Sequence, residues 1–332
     1  MVRGVNWIGA RCSAGKSFDA EVRRWAEPCY DEVIFIDLGL TNSGVSGDGD
    51  SWDNPTKNFN DACDKLSNTG GDKSRLFVLR GRVTSGNMMG VDQCIDVRHV
   101  TVVGEGTLYG GATQNATITM YHTNTQTTGG TAYDPSYTLV GIKADERNVN
   151  FHGLHFYNPD VTDNTWELAW GDSDGQTAAV TDCWFEGQSD GDTTDATCGI
   201  YAAGTIHNVF ARNQFSYTEI GLAGRGGSSR YFHNATIDRN TFSSNATSIH
   251  LLANSSMNLV RDNVIRQKGY LGYNLVAGID CDTGANYNQF LDNIVFDASE
   301  TAAYLDGGTG NFWIGNKYGE STVGEGNFYD VT

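Results

Sequence analysis

Proline is nearly missing from this chain: four in 332 residues, against 41 glycines. Basic residues are also scarce, with 22 Lys+Arg facing 40 Asp+Glu and a formal net charge of −18. No stretch approaches the roughly 18 consecutive apolar residues of a membrane-crossing helix. None of the seven cysteines stands in a Cys-x-x-Cys pair or at metal-ligand spacing. Each shortage excludes something. Too few clustered cations argues against nucleic acid as a partner, because phosphate binding needs them. The missing apolar run argues against a membrane protein. The N-terminal "MVRGVNWIGARCSAGK" has no continuous apolar core, so a secretory leader is not expected. The cysteine pattern excludes a zinc framework, and an odd count leaves at least one thiol outside any intrachain disulfide. Cys183 and Cys281 fall in strand-like runs and read as small buried hydrophobes.

What is abundant is Gly, Thr, Asn, Asp and Ser. That composition fits many short strands joined by tight turns rather than a helical bundle. Four Asn-x-Ser/Thr sites (Asn115, Asn234, Asn245 and Asn254) read as turn composition rather than as glycosylation acceptors.

A repeat then becomes visible. The pattern apolar-x-x-Asn-x-apolar recurs with Asn at 213, 240, 263, 293 and 316, that is, at intervals of 27, 23, 30 and 23. Cys183 in "VTDCWF" and Gly153 in "VNFHGLHF" occupy the same slot upstream, and "VTVVGEGTL" near Val100 is an earlier copy. A longer insertion rich in Thr, Gly and Asn, roughly 112–138, follows that copy. Each period also holds a second alternating run, such as "EIGLAG", "SIHLLAN" and "AGIDCDTG". A period of 23–30 residues with strands and no helix is the signature of a solenoid whose coils stack ~4.8 Å apart. The repeated Asn suits a turn, where it tolerates left-handed backbone. Its amide can also bond the Asn of adjacent coils, giving an internal ladder at Asn213, Asn240, Asn263, Asn293 and Asn316.

The coils "NATIDRNTFSSNATSIHLL" and "NYNQFLDNIVFDASETAAYL" resemble right-handed parallel β-helices of the pectin-lyase-like class, over roughly residues 75–325. The resemblance implies an all-β, right-handed parallel β-helix solenoid. Members of that class include polysaccharide lyases, hydrolases and the spike proteins of tailed bacterial viruses. Residues 1–73 differ and read as a short α/β cap or attachment segment, with the β-helix spanning 74–332. In that segment "SFDAEVRRWAEP" (17–28) reads as a helix and "DEVIFIDLG" (31–39) as a strand. A second helix would bury Phe59, Ala62, Cys63 and Leu66 across the open end of the solenoid.

Residues at equivalent positions on adjacent coils lie about 5 Å apart, which suits paired acid–base work. Alignment by alternation puts Gly221, His250, Asp280 and Tyr304 in one outward column, and Ala223, Leu252, Asp282 and Asp306 in the next. Asp280, Asp282, Asp306 and His250 are therefore the candidate catalytic residues. The same "DCDTG" and "LDGG" also read as Asp-Gly turns that end strands. His155 faces outward in "FHGLHF" and reads as a surface residue. Trp166, Trp170 and Trp184 are candidate glycan-stacking residues. The acidic loop "SGDGDSWD" (46–53) offers oxygen ligands to calcium; no other cofactor and no metal-ligand set is expected. The motif set of polygalacturonases, the calcium cluster of pectate lyases, Gly-x-Ser-x-Gly and the P-loop are all absent.

Together these features point to a virion-surface protein of a tailed virus, either a tailspike, a fibre or a decoration subunit. The expected assembly is a homotrimer, held to other virion proteins through the N-terminal segment and recognising a host-surface polysaccharide. The alternative is a polysaccharide depolymerase, lyase or glycoside hydrolase, using the outward carboxylates.

Overall fold

The computed structural model describes residues 30–40, 46–66, 73–81, 93–104, 117–119, 139–144, 146–157, 165–170, 177–187, 197–226, 232–266, 276–296, 300–319 and 328–330. The expected helix at 17–28 and nearly all of the insertion at 112–138 lie outside them. Three sheets form the fold, with ten, nine and eight strands among the described residues. All pairings in them are parallel except the last of the second sheet, where Phe328–Asp330 runs antiparallel to Lys317–Gly319. From Val100–Gly104 onward each coil contributes one strand to each sheet in turn. One complete coil runs through Val209–Ala211, Gln214–Ser216 and Ile220–Arg225 and then begins again at Thr236–Asp238.

The first rung lies before residue 74. Glu32–Asp37 pairs in register with Arg75–Arg80, and Ile34 and Ile36 join the same core as Phe77 and Leu79. Phe59–Asp64 is a six-residue helix capped by Asn58, whose side chain accepts from the Asp61 N–H at 2.7 Å. Its Phe59, Ala62 and Cys63 are buried, as is the following Leu66, and the Cys94 N–H donates to Asn60 at 2.9 Å.

The interior is built from columns. Phe156, Phe185, Phe215 and Phe242 stack at centroid separations of 4.6, 5.0 and 4.7 Å, with ring planes within 10° of parallel. Facing them, the third-sheet strands from Leu139–Ala144 to Ala277–Cys281 carry a kink near their start, where the pairing skips one position and two consecutive residues point inward. The register lines up Gly141, Glu167, Gly199, Gly221, Ser248 and Gly278 at the first of these positions. At Gly221 the space is closed to a side chain, because a Cβ there would meet the Phe242 ring at 2.8 Å.

At the turn between first and second sheets, the asparagines form a continuous ladder. Asn213 Nδ2 donates to Asn240 Oδ1 at 3.1 Å, Asn240 to Asn263 at 3.0 Å, Asn263 to Asn293 at 2.9 Å and Asn293 to Asn316 at 2.8 Å. Each Oδ1 also accepts the backbone N–H of the Asn one coil earlier, and the first rung accepts from the Cys183 N–H. One expectation needs correcting. The left-handed residue is not the Asn but its predecessor: Arg212, Arg239, Asp262 and Asp292 have φ between 53 and 56°, and Gly315 has 67°. The preceding residue takes the bend so that the amide can point into the core.

A second ladder, at the turn between third and first sheets, was not anticipated. There Asn258 Nδ2 donates to Asn288 Oδ1 at 3.0 Å and Asn288 to Asn311 at 3.2 Å, each again following a left-handed residue. A shorter contact of the same kind joins Thr218 to Asn245, so the buried Asn245 is a turn residue.

Two predictions follow from this packing. Asn263→Ala orphans the Asn240 amide and the Ile237 carbonyl within the core. Each unsatisfied buried group costs ~1–3 kcal/mol, so denaturant unfolding should show a loss of at least about 2 kcal/mol. An unchanged midpoint would remove the ladder from the stability account.

Glu167 is fully buried, and neither of its carboxylate oxygens has a hydrogen-bond partner among the described residues. Burial, with like-charge repulsion from Glu186 adding to it, pushes this carboxyl well above the usual range. The folded state therefore favours the protonated form. That contribution is complete below the ordinary Glu pKa and is lost as pH rises through the raised value. Glu167→Gln should flatten the decline of Tm on the alkaline side; parallel Tm–pH curves for the two proteins would refute this.

Candidate functional site

Past the kink, the third-sheet strands that carry it resume alternation. The register pairs Ala223 with His250, His250 with Asp280 and Asp280 with Leu305, so these residues form one outward column. Asp282 returns to the same face two residues on. It closes the strand and opens a tight turn, its carbonyl accepting from the Ala285 N–H at 2.9 Å. The two readings of "DCDTG" are therefore compatible: the backbone of Asp282 makes the turn while its side chain reaches a neighbour.

That neighbour is His250. Its Nε2 lies 3.2 Å from Asp282 Oδ1 and 3.7 Å from Asp280 Oδ2. The side chains of His250 and Asp280 are 18% and 22% exposed, whereas Asp282 is 43% exposed. Partial burial raises the Asp280 carboxyl above its ordinary value; His250 opposes this and the Asp282 charge adds to it. Asp280 thus holds its proton more tightly than a solvated carboxyl would, next to a more exposed second carboxyl. Among the described residues this trio is the one grouping of three imidazole, thiol or carboxylate groups with metal-site spacing. The acidic loop forms no such grouping among its described residues; its Asp48 pairs with Lys65 at 3.2 Å.

Asp306 does not join them. A short helix, Glu300–Ala303, precedes the last strand of the third sheet, and the register then sets Tyr304 beside Ile279 and Asp306 beside the inward Cys281. Both expected columns are corrected at this coil by one residue, and at the coil before His250 by two, since Ala223 rather than Gly221 pairs with His250 and Gly221 lies inward beside Ser248. Asp306 instead accepts from the Gly308 N–H, Asn311 Nδ2 and Trp313 Nε1, at 3.0, 2.7 and 2.9 Å, and so braces the final turn.

The tryptophans are corrected too. Trp170 points into the main core, edge-on to Phe151 and Phe210. Trp166 faces outward but is fully buried in a second apolar cluster with Ala169, Cys198, Tyr201 and Ala223. Neither ring is available to a glycan. Trp184 is partly exposed, but His155 covers one face of its ring at 4.2 Å and 9°. His155 in turn contacts Glu186 at 2.8 Å. Sequence reasoning missed this His155–Trp184–Glu186 group; the signal was the matched spacing of "HGLHFY" and "TDCWFE". It also missed the charge ladder on the first sheet, where Asp182 meets His152 and Arg212, and Asp238 meets Arg239 and Arg261.

A family profile described as "right handed beta helix region" matches residues 168–326. The chain is a right-handed parallel β-helix. Among solved structures it resembles the GH136 lacto-N-biosidase from Eubacterium ramulus, with a TM-score of 0.56 and 12% sequence identity. The superposition covers 90% of this chain and 57% of the length of that one. At this identity the likeness is one of fold. A search of curated proteins finds no match. No helix among the described residues is long and apolar enough to cross a membrane.

Proposed function

We infer that the β-helix binds a glycan along the outer face of its third sheet and hydrolyses it there. The observation that carries this reading is the His250–Asp280–Asp282 cluster, with its two carboxyls in unequal environments. The GH136 lacto-N-biosidase that shares the fold lends support at the level of chemical class. A net charge of −18 disfavours anionic chains, and thereby a lyase, which abstracts its proton beside a uronate carboxylate. A neutral glycan and a glycoside hydrolase fit better.

Roles follow from the environments. Asp280, biased towards its protonated form, would donate a proton to the glycosidic oxygen as the bond to the anomeric carbon breaks. Asp282 would bond to that carbon from the other side. Water would then release the sugar, giving its proton back to Asp280. The donor atoms of the trio lie within 4.8 Å of one another. Carboxyls whose nearest oxygens are that close fit the about 5–5.5 Å spacing of retaining enzymes better than the roughly 6.5–9.5 Å of inverting ones. His250 would orient both carboxylates.

A second reading is the virion-surface subunit, homotrimeric and recognising rather than cutting its glycan. Phe312 and Ile314, 56% and 49% exposed on the last strand of the first sheet, favour a lateral contact of that kind. Sedimentation showing only a monomer would count against it.

Digestion of a panel of neutral oligosaccharides, followed by NMR of the released anomer, tests the first reading. We expect cleavage with retention, and a rate loss of roughly 10²–10⁴-fold in Asp280→Asn and in Asp282→Asn. The rate should fall as pH rises past the raised Asp280 value, because the acid form is the active one. Cleavage indifferent to both substitutions, or no cleavage of any glycan, would overturn it.

A further inference from the structure

We propose that His250 Nε2, Asp280 Oδ2 and Asp282 Oδ1 form a binding site for a divalent transition-metal ion on the outer face of the third sheet.

Charge bookkeeping is the first argument. Glu32, Asp37, Glu146, Asp182 and Asp238 are partly or largely buried carboxylates, and each meets an arginine. Asp280 and Asp282 meet none among the described residues; their shared partner is a single imidazole. Even a protonated His250 neutralises only one of two carboxylates, one of which is largely shielded from water. What distinguishes this cluster is that two carboxylates share one imidazole, whereas His155 answers the single carboxylate of Glu186.

Distance is the second argument. A direct charge-assisted N–H···O⁻ contact closes to about 2.7–2.9 Å. The separations here are wider, 3.2 and 3.7 Å. Donors bound to one tetrahedral ion at about 2.0–2.1 Å stand roughly 3.4 Å apart, between the two observed values. One nitrogen and two oxygens suit zinc, cobalt or manganese, whereas calcium takes six to eight oxygens and magnesium favours oxygen alone. The frame is also prepared. His250 and Asp280 sit in register on adjacent strands, and the Asp282 N–H is fixed to the Leu251 carbonyl at 2.9 Å.

Such an ion would occupy the lone pairs that the carboxylates need for proton transfer and attack, and would thereby inhibit cleavage. That consequence rests on the hydrolase reading; the binding itself does not.

The test is calorimetric titration of the chelator-treated full chain with zinc alone. Wild type should bind one ion that both His250→Ala and Asp282→Asn fail to bind. The weakening should be at least roughly 10–100-fold, which is what losing even an outer partner of a metal ligand costs. His155→Ala, which removes another partly exposed His–carboxylate pair, should leave that ion bound. The isosteric Asp282→Asn guards against a folding artefact at position 250, and unchanged thermal unfolding of both variants confirms it. Absence of a stoichiometric ion in wild type, or identical isotherms for wild type and the two site variants, would overturn the proposal. Zinc binding, with no glycan cleaved by the metal-free chain, would uphold the site and sink the hydrolase reading. Cleavage without zinc binding would do the reverse.

Discussion

The structure depends on a buried amide that bonds to its own copy one coil away. Asn263 uses both hydrogens and both lone-pair directions of its side chain. It donates to Ile237 O and Asn293 Oδ1, and it accepts the backbone and side-chain N–H groups of Asn240. An amide satisfied in this way can be buried without penalty only if the neighbouring coil is in register. A slip by one residue would leave several orphaned groups on every rung. The ladder therefore converts a repeat in sequence into a fixed ~4.8 Å stack, and the phenylalanine column and the glycine column opposite it follow from that spacing.

The candidate site inherits its precision from this frame. Neither His250 nor Asp280 is placed by a loop; each is the outward residue of a strand held on both edges. Adjacent outward positions on such strands are forced to within a few ångströms of each other. In most of the molecule the outward charges are arranged so that opposite signs meet, as along Asp182, Arg212, Asp238 and Arg261. At Asp280 and Asp282 two like charges meet instead. The frame can hold that arrangement because the cost falls on a surface cluster while the ladder below it stays intact. Glu167 is the interior counterpart: a carboxyl placed in a column otherwise filled by glycine and serine, where nothing among the described residues answers it.

Much of this was legible in the sequence, because architecture repeats and repetition can be counted. The Asn column, the all-parallel stacking and the outward setting of His250 and Asp280 all follow from period and alternation. What could not be read were features that break the period. The helix Glu300–Ala303 shifts the last strand by one residue, which separated Asp306 from Asp282. The kink in the third-sheet strands from Leu139–Ala144 to Ala277–Cys281 puts two successive residues inward, and strict alternation does not contain it. The burial of Trp166 depends on a second cluster outside the third sheet, which a strand pattern cannot announce. The second ladder was hidden because its Asn258, Asn288 and Asn311 stand in polar turns, where asparagine reads as ordinary turn composition.

The central claim is that the amide ladder fixes the register on which everything else is built. Native-state hydrogen exchange of the Asn240, Asn263 and Asn293 backbone amides tests it most directly, since each donates to the side chain of the next rung. If the claim holds, all three exchange only through global unfolding, with opening free energies equal to the whole-protein stability. Exchange through local openings, at free energies well below that value, would show that the coils hold their register without the ladder and would contradict the account.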